Sequence, residues 1–281
     1  MANNIRINNR VASTLQVGGV YAEGAYYGSP LVYTPSFFDE DAITYIDAVE
    51  SADGEPLELE VRVTINNFVS RCKADGTWDA IKASCILAGA RTLNGCLVPL
   101  VGSAPTNFNF VSGDYNRVTG LKGDGSTKYL DSNRANDADP LNSKSASFYC
   151  SDLSTASPNV ILGMVGRSQS PGADGMSLIR NTLTRLNSTT INDSYTAVVG
   201  FIGMSRGSSS SYVRRNGEAN TTVSTASTSP PQSNNMTIYA DEGGAFGNPR
   251  LAFYAFGEDI DLAALDARVA ALMTEIEAAL T

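Results

Sequence analysis

Four aspartates fall within a short polar stretch, KGDGSTKYLDSNRANDADP: Asp124, Asp131, Asp137 and Asp139. Clustered carboxylate oxygens suit a hard cation such as calcium. Their spacing is not that of an EF-hand, and Asp and Asn in turns commonly bond their own backbone. Both readings stay open, and no metal or cofactor is assigned; these four are the candidates if calcium binds. Glu55, Glu58 and Glu60 form a second acidic group. They lie where a helix should begin, and acids there favour the helix dipole. Asp241 and Glu242 sit in a Gly-rich turn. GDGST is too short and too acidic to cradle phosphate, and no P-loop lysine follows it.

The chain has no histidine. This excludes Ser-His-Asp and Cys-His catalysis and His-based zinc sites. Cys72, Cys85, Cys96 and Cys150 show no C-x-x-C spacing, so they read as small buried thiols, with a disulfide the less expected alternative. Tyr195, Tyr212 and Tyr239, beside Asn-rich loops, could stack against sugar rings, although single aromatics are as often core residues. Trp78, the sole tryptophan, reads as a core anchor.

These side chains need elements to position them. The chain has 281 residues, 42% hydrophobic and only 17% charged, with a net charge of −9. The hydrophobic content is that of a globular protein, and the negative sign repels phosphate, against nucleic-acid binding. No apolar run reaches the roughly 18 residues needed to span a bilayer, so no membrane insertion is expected. MANNIRINNRVAST lacks the apolar core of a secretory signal, which predicts a protein made and kept in the cytoplasm until release.

Residues 1–36 read as an extended arm. Tyr21, Tyr26, Tyr27 and Tyr33 alternate with glycines there, with too little apolar content for a core, so the arm is expected to pack on another subunit. Residues 37–101 read as a helical subdomain of three helices. Asp39 caps the first, whose face is Ala42, Tyr45, Ile46 and Val49, and Gly54 closes it. Pro56 opens the second, with Val61, Ile65, Phe68, Val69 and Cys72 inward, and Gly76 ends it. Thr77 caps a third carrying Trp78, Ile81, Cys85 and Leu87 and stopping at Gly89. Residues 102–258 alternate short strand patterns with turn signals, which predicts an antiparallel sandwich or jelly roll. Asn216-Gly217 is the clearest hairpin turn. Residues 259–281 end the chain in an amphipathic helix, capped by Asp259 or Asp261. Its stripe of Leu262, Leu265, Val269, Leu272, Met273, Ile276 and Leu280 needs a partner: the sandwich, the helical block or a second copy.

The segment DEDAITYIDAVESADGEPLELEVRVTINNFVSRCKADGTWDAIKASCILAGARTLNGCLVPL resembles a module of bacteriophage virion proteins of the tail-fibre and structural kinds. NFVSGDYNRVTGLKGDGSTKYLDSN is similar to the start of the concanavalin-like, laminin-G-like jelly roll joined to that module, and FGEDIDLAALDARVAAL to its closing helix. The likeness runs from Phe37 to Asn133 and from Arg250 to Leu280; between Asn142 and Asn248 it is one of pattern only. It implies a mainly β fold, a jelly-roll sandwich with a helical subdomain and a C-terminal helix, in a phage particle. Such sandwiches sometimes hold calcium, which is the second reason to name the four aspartates. Their glycanases carry an E-x-D-x-x-E strand. No strand here has it, so the expectation is a protein that is not an enzyme. The expected role is a virion surface protein, tail-fibre or adhesin-like. Its arm would bind other virion proteins (self, tail or baseplate, or the major capsid protein), and its sandwich a host-surface glycan. A capsid decoration protein is the alternative, and a glycan hydrolase a remote one.

Overall fold

The computed structural model describes residues 5–7, 10–12, 16–17, 20–21, 38–153, 161–165, 176–179, 183–188, 196–228, 233–240 and 246–281. Within residues 1–36, β1 (Ile5–Ile7) pairs with β2 (Arg10–Ala12), and β3 (Gln16–Val17) with β4 (Val20–Tyr21). The body begins with α1 (Glu40–Asp53), α2 (Leu59–Ala74), β5 (Ile81–Ile86) and the single turn α3 (Leu93–Cys96). Then come β6 (Thr106–Phe108), β7 (Tyr115–Asn116), β8 (Gly120–Lys122), β9 (Tyr129–Ala135) and β10 (Lys144–Asp152). They are followed by β11 (Ile161–Val165), β12 (Met176–Ile179), β13 (Leu183–Leu186), β14 (Gly200–Arg206), β15 (Tyr212–Asn216) and β16 (Ala219–Val223). The chain closes with β17 (Asn235–Ile238), β18 (Arg250–Gly257) and α4 (Leu262–Leu280).

Two antiparallel sheets form the sandwich. The larger runs β16-β15-β14-β10-β18-β8-β7, with β5 also on β18; the smaller runs β13-β12-β11-β17-β9-β6. The fold is mainly β, a jelly-roll-like antiparallel sandwich with helices on one face. Strand β18 explains the layering. Its residues Leu251 to Phe256 are all buried, a run expected of a strand covered on both faces. Phe253 meets Phe68 of α2 edge-on at 5.8 Å, while Tyr254 and Phe256 meet each other, and Phe256 meets Phe148 of β10. Alternate residues of a strand point to opposite faces, so one strand serves two layers of core.

The caps follow the sequence. The Asp39 carboxylate accepts the Asp41 N–H, and Gly54 takes φ +74° after α1. Asp261 accepts the N–H groups of Ala263 and Ala264 at the start of α4. The stripe of α4 is buried from Leu262 to Ile276, against α2 and the large sheet; Arg268–Asp75 and Arg71–Glu275 ion pairs flank the helix contact. The helix α4 thus both covers the sandwich and joins the helical layer. Asn216 faces Ala219 across the β15–β16 turn, and Gly217 there has φ +56°.

One expected helix is a strand. After a short 3-10 turn at Trp78–Ala80, residues Ile81–Ile86 form β5 and pair with β18. Trp78, Ile81 and Cys85 have helical spacing, but Ile81, Ala83 and Cys85 also alternate. The paired backbone of β18 decides between these readings, as tertiary context does for ambiguous apolar segments. The third helix of the layer is α4. The segment 37–101 therefore shares the large sheet and its core with the sandwich. Pro56 also precedes α2 rather than opening it, since that helix starts at Leu59.

Candidate functional site

The four candidate calcium ligands are spread over separate structural duties. Asp124 closes its turn: one oxygen accepts the N–H groups of Ser126, Thr127 and Lys128, and the other the Thr127 hydroxyl. Partial burial would raise its pKa, but these bonds outweigh that and hold it well below the usual carboxylate range. Asp131, in β9, accepts from the Asn133 N–H and the Asn235 amide. Asp137 is exposed in the 3-10 turn 136–138. Asp139 is buried and takes hydrogen bonds from Arg134 and from Lys144 Nζ at 2.9 Å. Lys144 is itself fully buried at the start of β10 and also donates to the Asn136 carbonyl at 2.7 Å. Burial pushes the Asp139 pKa up, yet Arg134 and Lys144 bring it net below its ordinary value; burial likewise lowers Lys144 against the pull of Asp139. Among the described residues no group of three or more His, Cys, Asp or Glu side chains is placed to hold a metal ion.

Glu58 is bound in a fork by the Arg117 guanidinium at 2.7 and 3.2 Å and reached by Arg91 at 3.1 Å. The Arg117 hydrogen bond holds its pKa below the usual value. Glu55 and Glu60 are exposed. Asp241 and Glu242 lie outside the described residues, as do Tyr26, Tyr27, Tyr33 and Tyr195; Tyr21 ends β4.

Of the three tyrosines named as sugar platforms, the two described ones are core residues. Tyr212 is buried, with the Arg206 guanidinium 5.3 Å from its ring centre. Tyr239 is buried, and its hydroxyl donates to the Leu121 carbonyl at 2.6 Å. Of the two readings open for them, sugar platform or core residue, burial favours the core. Trp78 is half-buried against the core, with Lys73 Nζ 5.7 Å from its ring centre. The four cysteines are buried thiols, and burial pushes the Cys72 and Cys85 thiols up to about 12.

Folding creates a hollow that no local pattern announced. It lies where α4 begins, beside β14, β15 and β16, and has a volume of about 310 Å³. Ser205, Ser208, Ser211, Asn220, Asp259 and Asp261 give it polar atoms, and Tyr212, Val213, Ile260 and Leu262 apolar ones. These residues come from three regions of the sequence, so only the sheet order brings them together. No helix among the described residues is long and apolar enough to cross a membrane.

No protein-family model matches the chain. No curated protein matches it. Among solved structures, domain 4 of AbnA, a GH43 extracellular arabinanase from Geobacillus stearothermophilus in complex with arabinotriose, is similar at 7% identity and a TM-score of 0.35, over 60% of this chain and 82% of that one. Trypanosoma rangeli sialidase, in complex with 2,3-difluorosialic acid, is similar at 7% identity and a TM-score of 0.40, over 73% of this chain and 38% of the sialidase.

Proposed function

We propose that the chain is a non-enzymatic surface protein of a bacteriophage particle, held by residues 1–36 and displaying its sandwich to the host surface as a tail-fibre or adhesin module. The observation that carries this reading is the junction between arm and body. The Asp39 N–H donates to Asn66 Oδ1 of α2 at 2.7 Å, and its carboxylate caps α1 while accepting from Lys73 Nζ at 2.6 Å. Asp41 adds a second carboxylate to Lys73, also at 2.6 Å. A pull on the arm is thus passed at its first described body residues into two packed helices, as suits a tether. The resemblance of this segment to phage virion modules supports a place in a phage particle. The non-enzymatic part is supported by the carboxylates of the Asp-rich turn and of Glu58, which are engaged by backbone amides, arginines and a lysine.

The test is assembly of particles with protein lacking residues 1–36. We expect the truncated protein to melt as the full chain does and to be missing from particles. Normal incorporation, or an unfolded product, would overturn the tether. A photo-cross-linker at position 21 then separates the locations. A tail or baseplate adduct supports host attachment, and a major capsid protein adduct places the chain as a head decoration protein instead.

A further inference from the structure

The geometry points to the hollow at the start of α4 as a binding site for one neutral sugar residue of a glycan, held through a pair of adjacent hydroxyls. This rests on the host-attachment reading and names the surface that would serve it. Two unspent polar atoms define the site. Ser205 Oγ donates to Asp259 Oδ1 at 2.6 Å and accepts the Ile260 N–H at 2.8 Å. The carboxylate is thereby fixed with Oδ1 occupied, and Oδ2 has no partner among the described residues. From β16, which also lines the hollow, Asn220 Oδ1 accepts from Arg215 at 2.9 Å. A guanidinium can only donate, so the amide oxygen must face Arg215, and the Asn220 NH₂ is left over. An acceptor and a donor, each oriented by a second bond, thus line one cavity.

A sugar hydroxyl both donates and accepts, so two neighbouring hydroxyls match this pair. Val213, Ile260 and Leu262 offer an apolar floor for the C–H face of the ring. The volume of about 310 Å³ is at the small end of the roughly 300–1,000 Å³ of small-molecule sites, which suits one ring rather than several. Asp259 and Asp261 on the rim disfavour phosphate and acidic sugars. Gly207 makes the arrangement possible: a Cβ there would lie 2.2 Å from Asp259 Oδ2. Few contacts and a shallow site place the affinity in the millimolar range.

The experiment uses the full chain and ligand-observed NMR with the methyl glycosides of glucose, galactose and mannose, and sialic acid as the acidic probe. Expected is saturable binding of at least one neutral glycoside. Asn220→Ala should weaken it at least tenfold with an unchanged melting temperature, because Asn220 is exposed. Gly207→Ala should weaken it at least tenfold too, with a lower melting temperature, because its methyl displaces the carboxylate that Ser205 holds. Sialic acid should not compete. No binding of any neutral glycoside, binding untouched by both variants, or equal binding of sialic acid would each overturn the assignment. Cell adsorption separates this from the broader reading. If Asn220→Ala loses the sugar while particles still adsorb through this protein, the hollow is a sugar site but not the attachment surface. If particles lacking the protein adsorb normally, host attachment fails while the sugar site stands on its own binding data.

Discussion

Replacing Asp139 with asparagine should be among the most damaging single changes in the sandwich. Asp139 is 3% exposed and Lys144 0%, so neither reaches water. The substitution removes the only carboxylate bonded to Lys144 among the described residues; the asparagine oxygen can still accept, as the Asn136 carbonyl does, but neither balances the ammonium's charge. Arg134, whose side chain is 23% exposed, can turn outward, so the cost falls mainly on Lys144. Breaking a buried ion pair by deleting one partner costs about 3–5 kcal/mol. At roughly 2–4 °C per kcal/mol for a chain of this size, Tm should fall by about 6–20 °C. Urea unfolding should show a lower midpoint with an unchanged slope. Adding Lys144→Met to Asp139→Asn should restore part of the loss, because the uncompensated charge is gone. The pH dependence follows from the direction of the shift. The folded pKa of Asp139 lies below its ordinary value, so its contribution is complete above the unfolded value of about 3.9 and is lost as pH falls through the folded one. Wild type and Asp139→Asn should therefore differ by a constant amount near neutrality and converge in acid. Lys144 adds a rise of stability with pH between its lowered folded value and about 10.4, where the unfolded chain still holds the proton. A loss under about 1 kcal/mol for Asp139→Asn, or a double variant whose effects simply add, would refute the reasoning.

Gly257→Ala should destabilise by about 1–3 kcal/mol in calorimetry, because a Cβ there would sit 1.9 Å from the Ala80 carbonyl, a backbone atom that cannot swing away. Asp261→Ala should cost about 1 kcal/mol in urea unfolding by exposing two N–H groups of α4 that its carboxylate satisfies. The four thiols should stay unreactive to a disulfide reagent at pH 8 in the native protein and all react in urea. All four are buried, and burial raises Cys72 and Cys85 to about 12 and Cys96 well above its ordinary value.

What could be read in advance was what local chemistry decides. Asp39, Gly54 and Asp261 announce helix ends because orphan backbone groups need those residues, and Asn216-Gly217 announces a hairpin because the turn needs a positive φ. The segment Ile81–Ile86 could not be read, since its apolar residues satisfy both periods and the deciding partner, β18, lies far along the chain. Lys144 and Arg206 are fully buried although charge normally marks a surface. Their partners are an aspartate just upstream in one case and the carbonyls of Leu186, Ser208, Ser211 and Thr225 in the other, which no spacing rule reveals. The hollow at α4 was illegible for the same reason. Ser205, Asn220 and Asp259 are ordinary loop and strand residues until β14, β15 and β16 lie side by side.

The pairing of β5 with β18 also imposes an order of events during synthesis. Ile86 lies opposite Phe253 in the β5–β18 register, and α2 packs on α4. A ribosome that has made the arm, both early helices and most of the strands still holds a base that cannot close, because its central strand has not emerged. Contacts of such long sequence separation form late and slowly. On the proposed tether role, residues 1–36 gain a rigid mounting only as the final thirty residues appear, and a copy truncated within α4 would lack the base that such a tether requires.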